Sequence, residues 1–419
     1  MTVTRKTDAL VIGAGAAGMA AAEMIARADR SVVIIDREEA TGGILLQCIH
    51  NGFGLHHFGK ELTGPEYAES FSDTIGKVPV EVLLRTTALR ITRRQSFIEV
   101  LVCSADHGVT LFEASAVVLA MGCRERNRGT IGTAGTRPSG VFTAGLAQRL
   151  LNIEGYIPGK RAVIVGSGDI GLIMARRLTW TGSAVAAVVE ILPHPSGLTR
   201  NVVQCLQDFS IPLLLSHAVT RIAGRNRVEG VDITPLVNGV PDTTQTRHEP
   251  CDTVLFSVGL IPENELSKTA GVALSPDTGG PVVDHLLQTS VPGIFACGNV
   301  LHVHDLVDYV TEEAQRCGTH VADYLSGMSP ADTATLPVAA GANLKYVTPN
   351  RLVSGLKSHF FSRALVVREK AVLTVHQEEN LLYSRKLSHV RPAEMLSITL
   401  PAESTAGCAP GKPLIFTLS

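Results

Sequence analysis

Short apolar runs alternate with helical segments in two stretches of the chain. Ala9–Ile12 is followed by an alanine-rich segment and then by a second apolar run, Val32–Ile35. The same order returns with the apolar run Ala162–Val165, a helical segment at Leu172–Trp180 and the apolar run Ala184–Val189. Continuous apolar runs of about four to eight residues are typical of strands buried on both faces. The pattern therefore predicts two strand–helix–strand units of an α/β fold.

In each unit three glycines follow the first strand with the spacing G-x-G-x-x-G: Gly13, Gly15 and Gly18, then Gly166, Gly168 and Gly171. The first glycine allows a tight turn, the second lets the backbone approach a pyrophosphate, and the third lets the helix pack closely. Asp36 and Glu190 end the second strands, where a carboxylate binds a ribose 2′-OH. The repeated pattern predicts two dinucleotide sites, and a glycine-rich turn in an ordinary α/β unit is the alternative.

Shorter segments extend each unit. The pattern predicts a helix over Gly64–Lys77, opened by Pro65, and a buried strand over Ala116–Met121 that ends in Gly122. Antiparallel strands are predicted between them at Val80–Arg85, Ala88–Thr92, Phe97–Cys103 and Val109–Glu113. After the second unit, strands are predicted at Leu213–Leu215, Ala218–Ala223, Val228–Ile233 and Thr253–Val258.

Residues that break regular structure separate these parts. The arginine-rich connector Cys123–Arg128 leads into a glycine-rich stretch and is either a solvated linker or a loop that contacts a cofactor phosphate or a partner. A helical segment, Leu306–Leu325, precedes a linker rich in Pro, Ala and Gly at Ser329–Ala342. The C-terminus is β-like and predicts a small open barrel or sandwich with strands at Ala364–Arg368, Ala371–His376, Leu381–Leu387 and Met395–Leu400.

Composition excludes several classes of function. The chain has 419 residues, 45% of them apolar, and a net charge of −2, so it lacks the basic balance of a nucleic-acid-binding protein. The apolar runs are of strand length, and no signal-peptide core precedes the first strand, so a cytoplasmic protein is expected. Eight cysteines without C-x-x-C spacing argue against a disulfide framework, a zinc site or a four-cysteine iron–sulfur cluster.

The order of motifs resembles the two-dinucleotide-binding-domain flavoproteins, which include the pyridine nucleotide–disulfide oxidoreductases and thioredoxin reductases. It rests on the two glycine motifs, the strands ending in Gly122 and Gly259, and the late segment Thr289–Asn299, and it spans about Asp8–Gly327. The resemblance implies two Rossmann-like three-layer ββα domains, with FAD on the first and a nicotinamide cofactor on the second. The implied domains are 1–128 and 266–328 for FAD, 129–265 for NAD, and 329–419 for the linker and a small all-β domain.

One branch of that family is the most similar. The chain resembles the NAD(P)/FAD-dependent oxidoreductases that are associated with glycerol-3-phosphate dehydrogenases. It also resembles the flavin subunits of opine, proline and cyanide-forming amino-acid dehydrogenases. The residues that carry this likeness are Gly43–His57, Gly64–Tyr67, Gly122–Arg126, Thr143–Gly145 with Gln148, and Ala296–Thr311.

The chain departs from the family pattern in two ways. Asn299 stands where many members have an aspartate that bonds the ribityl chain of FAD, which leaves flavin tuning open. The paired redox-active cysteines of the disulfide reductases are missing, since no C-x-x-x-x-C follows Gly42-Gly43 and no C-x-x-C lies in the second unit. The C-terminus has only Cys408, so the iron–sulfur segment of some relatives is not expected.

The motifs and the resemblance together indicate cofactor-binding residues. FAD is expected at Gly13, Gly15, Ala16, Ala17, Gly18, Asp36, Arg37, Gly43, Ala120, Gly122, Gly298, Asn299 and Thr311. NAD(H) is expected at Gly166, Gly168, Asp169, Ile170, Gly171, Glu190 and Gly259. NADH is expected over NADPH, because Glu190 repels a 2′-phosphate and Ile191–Gly197 contains no Arg or Lys to bind one. The helix near Val310–Glu312 is expected to direct its N-terminal amides at flavin O2.

Three residues are candidates for catalysis. In related disulfide reductases a cysteine in the place of Cys48 faces the flavin, where a thiolate forms a charge-transfer contact or cycles through sulfenic acid; an inert buried residue is the alternative. His50, with His56 and His57 nearby, is a proton donor or a packing residue. His304 and His302 are expected near the flavin edge, and a metal site is not expected because further ligands could not be placed.

Three functions remain open. The first is an FAD-dependent oxidoreductase that transfers hydride between NAD(H) and FAD and exchanges electrons with a partner dehydrogenase of the glycerol-3-phosphate type. The second is a stand-alone NADH oxidase or peroxidase that uses Cys48. The third is a non-catalytic flavin redox sensor. The sequence favours the first through the branch resemblance and through the added β domain, which suits docking.

Overall fold

The computed structural model describes residues 3–328 and 335–419. Within them the chain forms two compact units, one of Met1–Cys123 with Pro262–Ser419 and the other of Arg124–Ile261. None of the helices in these residues is both long enough and apolar enough to span a membrane.

The helices, in chain order, are α1 (Ala16–Arg27), α2 (Gly64–Ile75), α3 (Arg128–Ile131), α4 (Ala144–Asn152), α5 (Asp169–Trp180), α6 (Thr199–Cys205), α7 (Glu265–Thr269) and α8 (Val307–Leu325). Short 3₁₀ turns lie at Gly43–Gln47, Gln207–Phe209, Thr243–Gln245, Gly298–Val300 and Ala402–Ser404.

The strands up to the end of the second unit are β1 (Val3–Ile12), β2 (Val32–Ile35), β3 (Asn51–Phe53), β4 (Leu62–Thr63), β5 (Val80–Leu83), β6 (Thr86–Arg93), β7 (Ile98–Ser104), β8 (Gly108–Leu119), β9 (Cys123–Glu125), β10 (Ala134–Gly135), β11 (Val141–Thr143), β12 (Arg161–Val165), β13 (Ala184–Val189), β14 (Leu213–Leu214), β15 (His217–Gly224), β16 (Val228–Val237), β17 (Val240–Pro241), β18 (Arg247–Pro250), β19 (Thr253–Phe256) and β20 (Leu260–Pro262). The remaining strands are β21 (Ile294–Ala296), β22 (Thr335–Ala340), β23 (Leu344–Thr348), β24 (Arg351–Val353), β25 (Ser358–Ala364), β26 (Ala371–Gln377), β27 (Asn380–Leu387), β28 (Met395–Leu400) and β29 (Leu414–Leu418).

A seven-stranded sheet in the order β5-β2-β1-β8-β7-β6 organises the first unit, and β21 also pairs with β8. Strands β5, β2, β1, β8 and β21 pair in parallel, whereas β6, β7 and β8 pair antiparallel. Two sequence predictions are therefore wrong. The Val80 strand is the third parallel strand of the nucleotide unit, and Val109–Glu113 and Ala116–Met121 belong to one long strand, β8.

Helices α1 and α8 pack against each other at unusually close range. Helix α1 is alanine-rich, and its residues from Ala16 to Ala22 are buried. Gly318 of α8 faces it so closely that a Cβ there would collide with the Ala21 carbonyl and lie 2.9 Å from the Met24 Cβ. Small residues on both helices let the backbones approach, and α8 is thereby fixed over the first nucleotide unit.

The second unit repeats the architecture. Its parallel sheet has the order β11-β19-β12-β13-β14, and α5 connects β12 to β13. A second sheet in the order β10-β15-β16-β17, joined by β18, contributes Val219, Ile222 and Val231 to a core beneath the parallel strands. The predicted strands of this unit are confirmed with small changes at their ends.

The C-terminal region forms two sheets, one of five strands in the order β24-β22-β29-β26-β27 and one of three in the order β23-β25-β28. They share an apolar core, so the predicted small all-β fold is confirmed. The predicted strand Ala364–Arg368 is wrong, because the strand is Ser358–Ala364. Of the predicted linker, 335–340 is strand β22, and 329–334 lie outside the described residues.

Candidate functional site

The first glycine loop is built around backbone contacts. Gly13 has φ +112°, and a Cβ there would collide with the Ala120 carbonyl. A Cβ on Gly18 would collide with the Gly13 carbonyl, so this glycine lets α1 pack on the turn. Gly15 differs because nothing lies within 4 Å of the place where its Cβ would be. The loop is therefore rigid on its protein side and open at Gly15, as a pyrophosphate site requires.

Gly42 and Gly43 form a second close backbone approach. The Gly42 amide donates to the Ala14 carbonyl at 2.8 Å, and Gly42 forms a parallel bridge with Gly15. A Cβ on Gly43 would lie 3.3 Å from the Gly15 Cα. Because both glycines have positive φ, the chain folds back onto the first loop and shapes the space beside it.

The N-terminus of α1 has no side-chain cap. Its N-cap is Gly15, which makes no side-chain bond, and no acidic residue lies in the first turn. Helix α2, by contrast, has a full capping box between Thr63 and Glu66, and Thr143 caps α4. The short helices α6 and α7 are also uncapped, so the feature is informative only with the glycine spacing. The free amides and the dipole of α1 fit the phosphates of a dinucleotide.

The other predicted FAD residues lie around this loop. The Asp36 carboxylate accepts the Ala14 amide at 2.6 Å and the Glu38 amide at 2.9 Å at the end of β2. Arg37 is exposed beside Glu38. Ala120 is buried behind the loop, and Gly122, with φ +71°, has open space where its Cβ would be. These backbone openings fit an FAD dinucleotide, which would be held by α1, Asp36 and the glycine turns.

Cys48 lies where the turn after Gly43 meets helix α2. Its thiol donates to the Ile44 carbonyl at 3.3 Å, and the Gly64 amide donates to the Cys48 carbonyl at 2.8 Å. A Cβ on Gly64 would lie 2.8 Å from the Cys48 Cβ, so the two segments are closely packed. Burial raises the pKa of the Cys48 thiol to about 12. The thiol is therefore protonated at neutral pH, which gives no support to a thiolate role.

The three histidines after Cys48 have separate environments. His50 places its Nδ1 3.0 Å from the Asn51 carbonyl and its ring 5.0 Å from Phe53. The His57 ring stacks on Phe71, and its amide donates to Asp308 at 2.9 Å. The His56 ring stacks on Tyr309 of α8, with 6.2 Å between the ring centroids. His56 and His57 therefore both pack against aromatic rings.

Gly298 and Asn299 are held by the segment that follows them. The Gly298 amide donates to Glu313 Oε1 at 2.7 Å, and the Asn299 side-chain oxygen accepts the His304 amide at 3.0 Å. The Asn299 amide group donates to the Cys123 sulfur at 3.6 Å. Asparagine thus uses both its acceptor and its donor, whereas an aspartate could not donate to that sulfur.

Helix α8 begins within one residue of the start predicted for the helical segment Leu306–Leu325. Its first residue is Val307, and its N-cap, Leu306, makes no side-chain bond. Thr311 is the fifth residue, so its amide has an acceptor within the helix, and the assignment of Thr311 to the FAD site stays a prediction. The free amides belong to the first turn. The Thr311 hydroxyl instead lies 2.7 Å from the buried Tyr67 hydroxyl.

His302 and His304 meet a third residue that the sequence did not reveal, Glu313 of α8. His302 Nε2 lies 2.8 Å from Glu313 Oε2, and His304 Nε2 lies 3.3 Å from Oε1. Burial lowers the pKa of His302 to about 4. Burial acts to raise the pKa of Glu313, but the two histidines offset this and lower it below its ordinary value. The carboxylate is therefore ionised beside a neutral His302.

The second glycine loop packs on Ser257, the residue after β19. Gly166 has φ +89°, and a Cβ there would collide with the Ser257 carbonyl. The Gly171 amide donates to the Ser257 hydroxyl at 3.0 Å, and a Cβ on Gly171 would lie 2.6 Å from the Ser257 Cβ. The N-cap of α5 is Gly168, which makes no side-chain bond. This helix end lacks a side-chain cap, as that of α1 does, but a Cβ on Gly168 would lie 2.9 Å from the Ser257 Oγ, and Asp169 lies in its first turn. The amides of this turn fit a second dinucleotide.

Glu190 is buried at the end of β13 and is surrounded by donors. Its carboxylate accepts the Ser167 amide, the Leu192 amide at 3.0 Å and the Ser196 hydroxyl at 2.8 Å. Asp169, the first residue of α5, accepts the Leu198 amide at 2.8 Å. The segment after β13 is thus tied back to the glycine loop by two carboxylates.

Remaining predicted residues of this unit have structural contacts. Ile170 packs at the edge of the core, and the Gly259 carbonyl accepts the Arg126 amide at 2.9 Å. In the connector, Arg128 donates to the carbonyls of Thr133, Ala134 and Thr136. This arginine therefore holds its own loop together, which favours a linker over a loop that contacts a cofactor phosphate or a partner.

Two further cysteines, Cys297 and Cys317, lie side by side although twenty residues separate them in the sequence. Both are fully buried, and the hydrogen bond with Cys317 together with burial raises the pKa of the Cys297 thiol well above its ordinary value. All eight cysteines carry free thiols. A buried thiol pair of this kind cannot reach an external disulfide substrate.

Comparisons with known proteins agree on one family. The sequence profile described as pyridine nucleotide-disulphide oxidoreductase matches residues 7–319. An opine oxidase subunit of Agrobacterium tumefaciens is 26% identical over 418 residues, covering 94% of this chain and 76% of the relative. An alkyl hydroperoxide reductase subunit of Pseudomonas aeruginosa is 28% identical, covering 72% of this chain but only 55% of the relative. The chain thus spans about half the length of this second relative.

A solved structure confirms the fold. Thioredoxin reductase from T. acidophilum has a TM-score of 0.63 at 24% identity and covers 76% of this chain and 99% of its own. The two Rossmann-like units deduced from the sequence are therefore those of a known architecture.

Proposed function

This chain belongs to the pyridine nucleotide-disulphide oxidoreductase family, and we propose that it transfers hydride between NAD(H) and FAD and exchanges the electrons with a partner dehydrogenase. It is a flavin-dependent NAD(P)H oxidoreductase, with FAD and NAD(P)H as cofactors. The observation that carries the proposal is the pair of glycine-led helix N-termini without side-chain caps, one in each unit.

The residues around the first loop bind and orient FAD. The free amides of α1 hold the pyrophosphate, and the Asp36 carboxylate lies at the strand end where a ribose hydroxyl is bound. The first turn of α8 presents its amides to the negative charge at flavin O2. The Glu313 carboxylate accepts the Gly298 amide and so holds that part of the backbone in place. When bound, FAD supplies the hydride and electron chemistry, so the protein contributes position and electrostatics.

The second unit is proposed to select NADH over NADPH. Glu190 is an ionisable carboxylate at the end of β13, and it is buried among donors rather than beside a cation. A 2′-phosphate placed at this strand end would meet negative charge, whereas the 2′-OH of NADH would find an acceptor.

A partner accounts for the fate of the electrons. The similarity to the opine oxidase subunit extends over 94% of the chain, including the C-terminal β region. The neighbouring thiols of Cys297 and Cys317 are buried, and burial raises the pKa of the Cys48 thiol to about 12. These features support transfer to another protein rather than to a disulfide or a peroxide. We propose a partner flavoprotein dehydrogenase of the glycerol-3-phosphate type, in the cytoplasm.

Reoxidation of the reduced protein tests this proposal. The holoenzyme is reduced anaerobically with one equivalent of NADH and then mixed with dioxygen or hydrogen peroxide, and in a separate assay the oxidised holoenzyme is mixed with NAD⁺, glycerol 3-phosphate and the partner dehydrogenase. We expect slow reoxidation by dioxygen and peroxide, unchanged in Cys48→Ser, and formation of NADH only when both proteins and glycerol 3-phosphate are present. Fast reoxidation by peroxide that is lost in Cys48→Ser would instead establish the peroxidase function.

A further inference from the structure

One cluster of potential metal ligands is left over by the proposed function. Among the residues that the structure describes, His302, His304 and Glu313 bring their ligand atoms within 4.8 Å of one another. All three side chains are at most 1% exposed. The histidines lie in the turn that follows Gly298, and Glu313 lies in the second turn of α8. Two imidazoles and a carboxylate are a ligand set that zinc uses in proteins.

The spacing of these atoms is close to that of a metal site. Zinc binds nitrogen and oxygen ligands at about 2.0–2.2 Å, so the edges of a tetrahedral site measure roughly 3.3 Å. His304 Nε2 and Glu313 Oε1 are 3.3 Å apart, which already matches. His302 Nε2 lies 2.8 Å from the other carboxylate oxygen, Oε2, so the His302 ring or the carboxylate has to shift slightly for one oxygen to bind the ion beside both imidazoles.

Surrounding groups hold the ligands in place. His302 Nδ1 lies 3.3 Å from the Tyr346 hydroxyl, which leaves Nε2 to face the cluster. The Gly298 amide fixes Glu313 Oε1 at 2.7 Å, and Phe361 packs edge-on against the His304 ring at 5.1 Å. Second-shell hydrogen bonds of this kind orient ligands and set which imidazole nitrogen is available.

An unsatisfied pair of atoms beside the cluster points to a bound ion. A neutral imidazole that donates from Nε2 to Glu313 has no proton on Nδ1. His304 Nδ1 is buried and has no hydrogen-bond partner, and neither has the buried Asp305 Oδ1 in the next residue. Two buried acceptors without a donor are costly. A metal on Nε2 moves the proton to Nδ1, so that the buried His304 Nδ1 becomes a donor.

We propose that His302, His304 and Glu313 bind one divalent transition-metal ion, zinc by the nature of the ligand set, with water in the fourth position. The ion cross-links the turn after Gly298 to helix α8, and through Tyr346 to the C-terminal β region. This inference does not depend on the proposed function, because metal content is measured without nicotinamide nucleotide and without an electron acceptor. The rival is a purely hydrogen-bonded cluster of the same three side chains.

Metal analysis of the full-length holoenzyme distinguishes the two. The protein is produced in zinc-supplemented medium, purified without a metal-affinity column and dialysed, and its metals are counted by inductively coupled plasma mass spectrometry. X-ray absorption at the zinc edge then identifies the ligand atoms. Glu313→Gln removes the anionic ligand at nearly constant volume. His320→Asn, at a part-buried histidine of the same helix outside the cluster, is the matched control.

We expect about one zinc per chain, bound by imidazole and oxygen without sulfur. Glu313→Gln is expected to lose at least tenfold in zinc content, whereas His320→Asn keeps it. Flavin-replete wild type that contains no metal and takes up none from zinc-containing buffer would overturn the proposal. Sulfur in the absorption spectrum, or full zinc content in Glu313→Gln, would do so as well. The wild-type spectrum decides even if the Glu313 variant does not fold.

Discussion

Gly13 and Gly15 are two residues apart but meet different physical constraints. Gly13 has φ +112°, and a side chain there would collide with the Ala120 carbonyl. Gly15 has extended backbone geometry and no protein atom within 4 Å of the place of its Cβ. Substitution at Gly13 therefore strains the fold, whereas substitution at Gly15 fills only the space beside the open end of α1.

We predict that Gly15→Val folds but is purified with at least about tenfold less FAD than wild type, equivalent to about 1.4 kcal/mol of binding free energy. Gly13→Ala, the matched variant, is expected to lower the Tm of the flavin-free protein, which Gly15→Val leaves near the wild-type value. The ratio of flavin to protein absorbance and thermal unfolding of the flavin-free proteins measure the two effects. Full FAD content in Gly15→Val would contradict the placement of the pyrophosphate.

Cys48 predicts a specific pH dependence of stability. Burial raises the pKa of its thiol from 9.0 to about 12, so between these values the folded protein keeps a proton that the unfolded chain has lost. Stability consequently falls as the pH rises through this window, and the contribution is fully present below it. We predict that Cys48→Ser, which does not titrate, loses less stability than wild type between about pH 8 and pH 11.

Urea unfolding at the two pH values measures this difference. Cys103→Ser, at an exposed strand position, is the control and is expected to follow wild type. Identical pH slopes for wild type and Cys48→Ser would show that Cys48 is not held as a buried thiol.

At the scale of elements, the contact of α1 with α8 is the one that fixes the two helices next to the nucleotide loop. A Gly→Ala change inside an exposed helix typically stabilises by about 1 kcal/mol. Gly318→Ala is predicted to do the opposite, destabilising by roughly 1–3 kcal/mol, because its Cβ would collide with the Ala21 carbonyl. Thr319→Ala, on the exposed side of the same helix, is the control. Chemical denaturation measures both, and a stabilised Gly318→Ala would show that the helices are not in close contact.

Some elements of the fold were predictable from the sequence and others were not. The turns at Gly13 and Gly166 were predictable from glycine spacing. Each glycine is required by the backbone conformation of its own turn, which is a local property of the sequence. The residues Val80–Leu83 form a parallel edge strand, but alternation of apolar and polar residues is the same in parallel and antiparallel strands. The pairing depends on α2 returning the chain to the edge of β2, which the pattern does not record.

Glu313 was missed for a related reason. Its partners precede it by eleven and nine residues, and they meet it only because the turn after Gly298 folds back on α8. No periodicity connects a turn residue to a helix residue at that distance. Glycine turns were therefore found by spacing, whereas side-chain clusters assembled by a turn required the structure.

For the whole molecule, two nucleotide units in one chain make sense only if electrons move between the cofactors that they bind. The first unit and the second each present an uncapped helix end behind a glycine turn. The family assigns FAD and NAD(P)H to such a chain. The proposed function therefore depends on one reaction, reduction of the bound flavin by NADH.

Anaerobic stopped-flow mixing of the holoenzyme with NADH or NADPH tests that reaction most directly, because it follows loss of the flavin absorbance without any second substrate. We predict bleaching by NADH that is at least about tenfold faster than by NADPH at equal concentration, a difference of about 1.4 kcal/mol in the barrier. Faster bleaching by NADPH would contradict the role given to Glu190. A protein that contains FAD but is bleached by neither nucleotide would contradict the account as a whole.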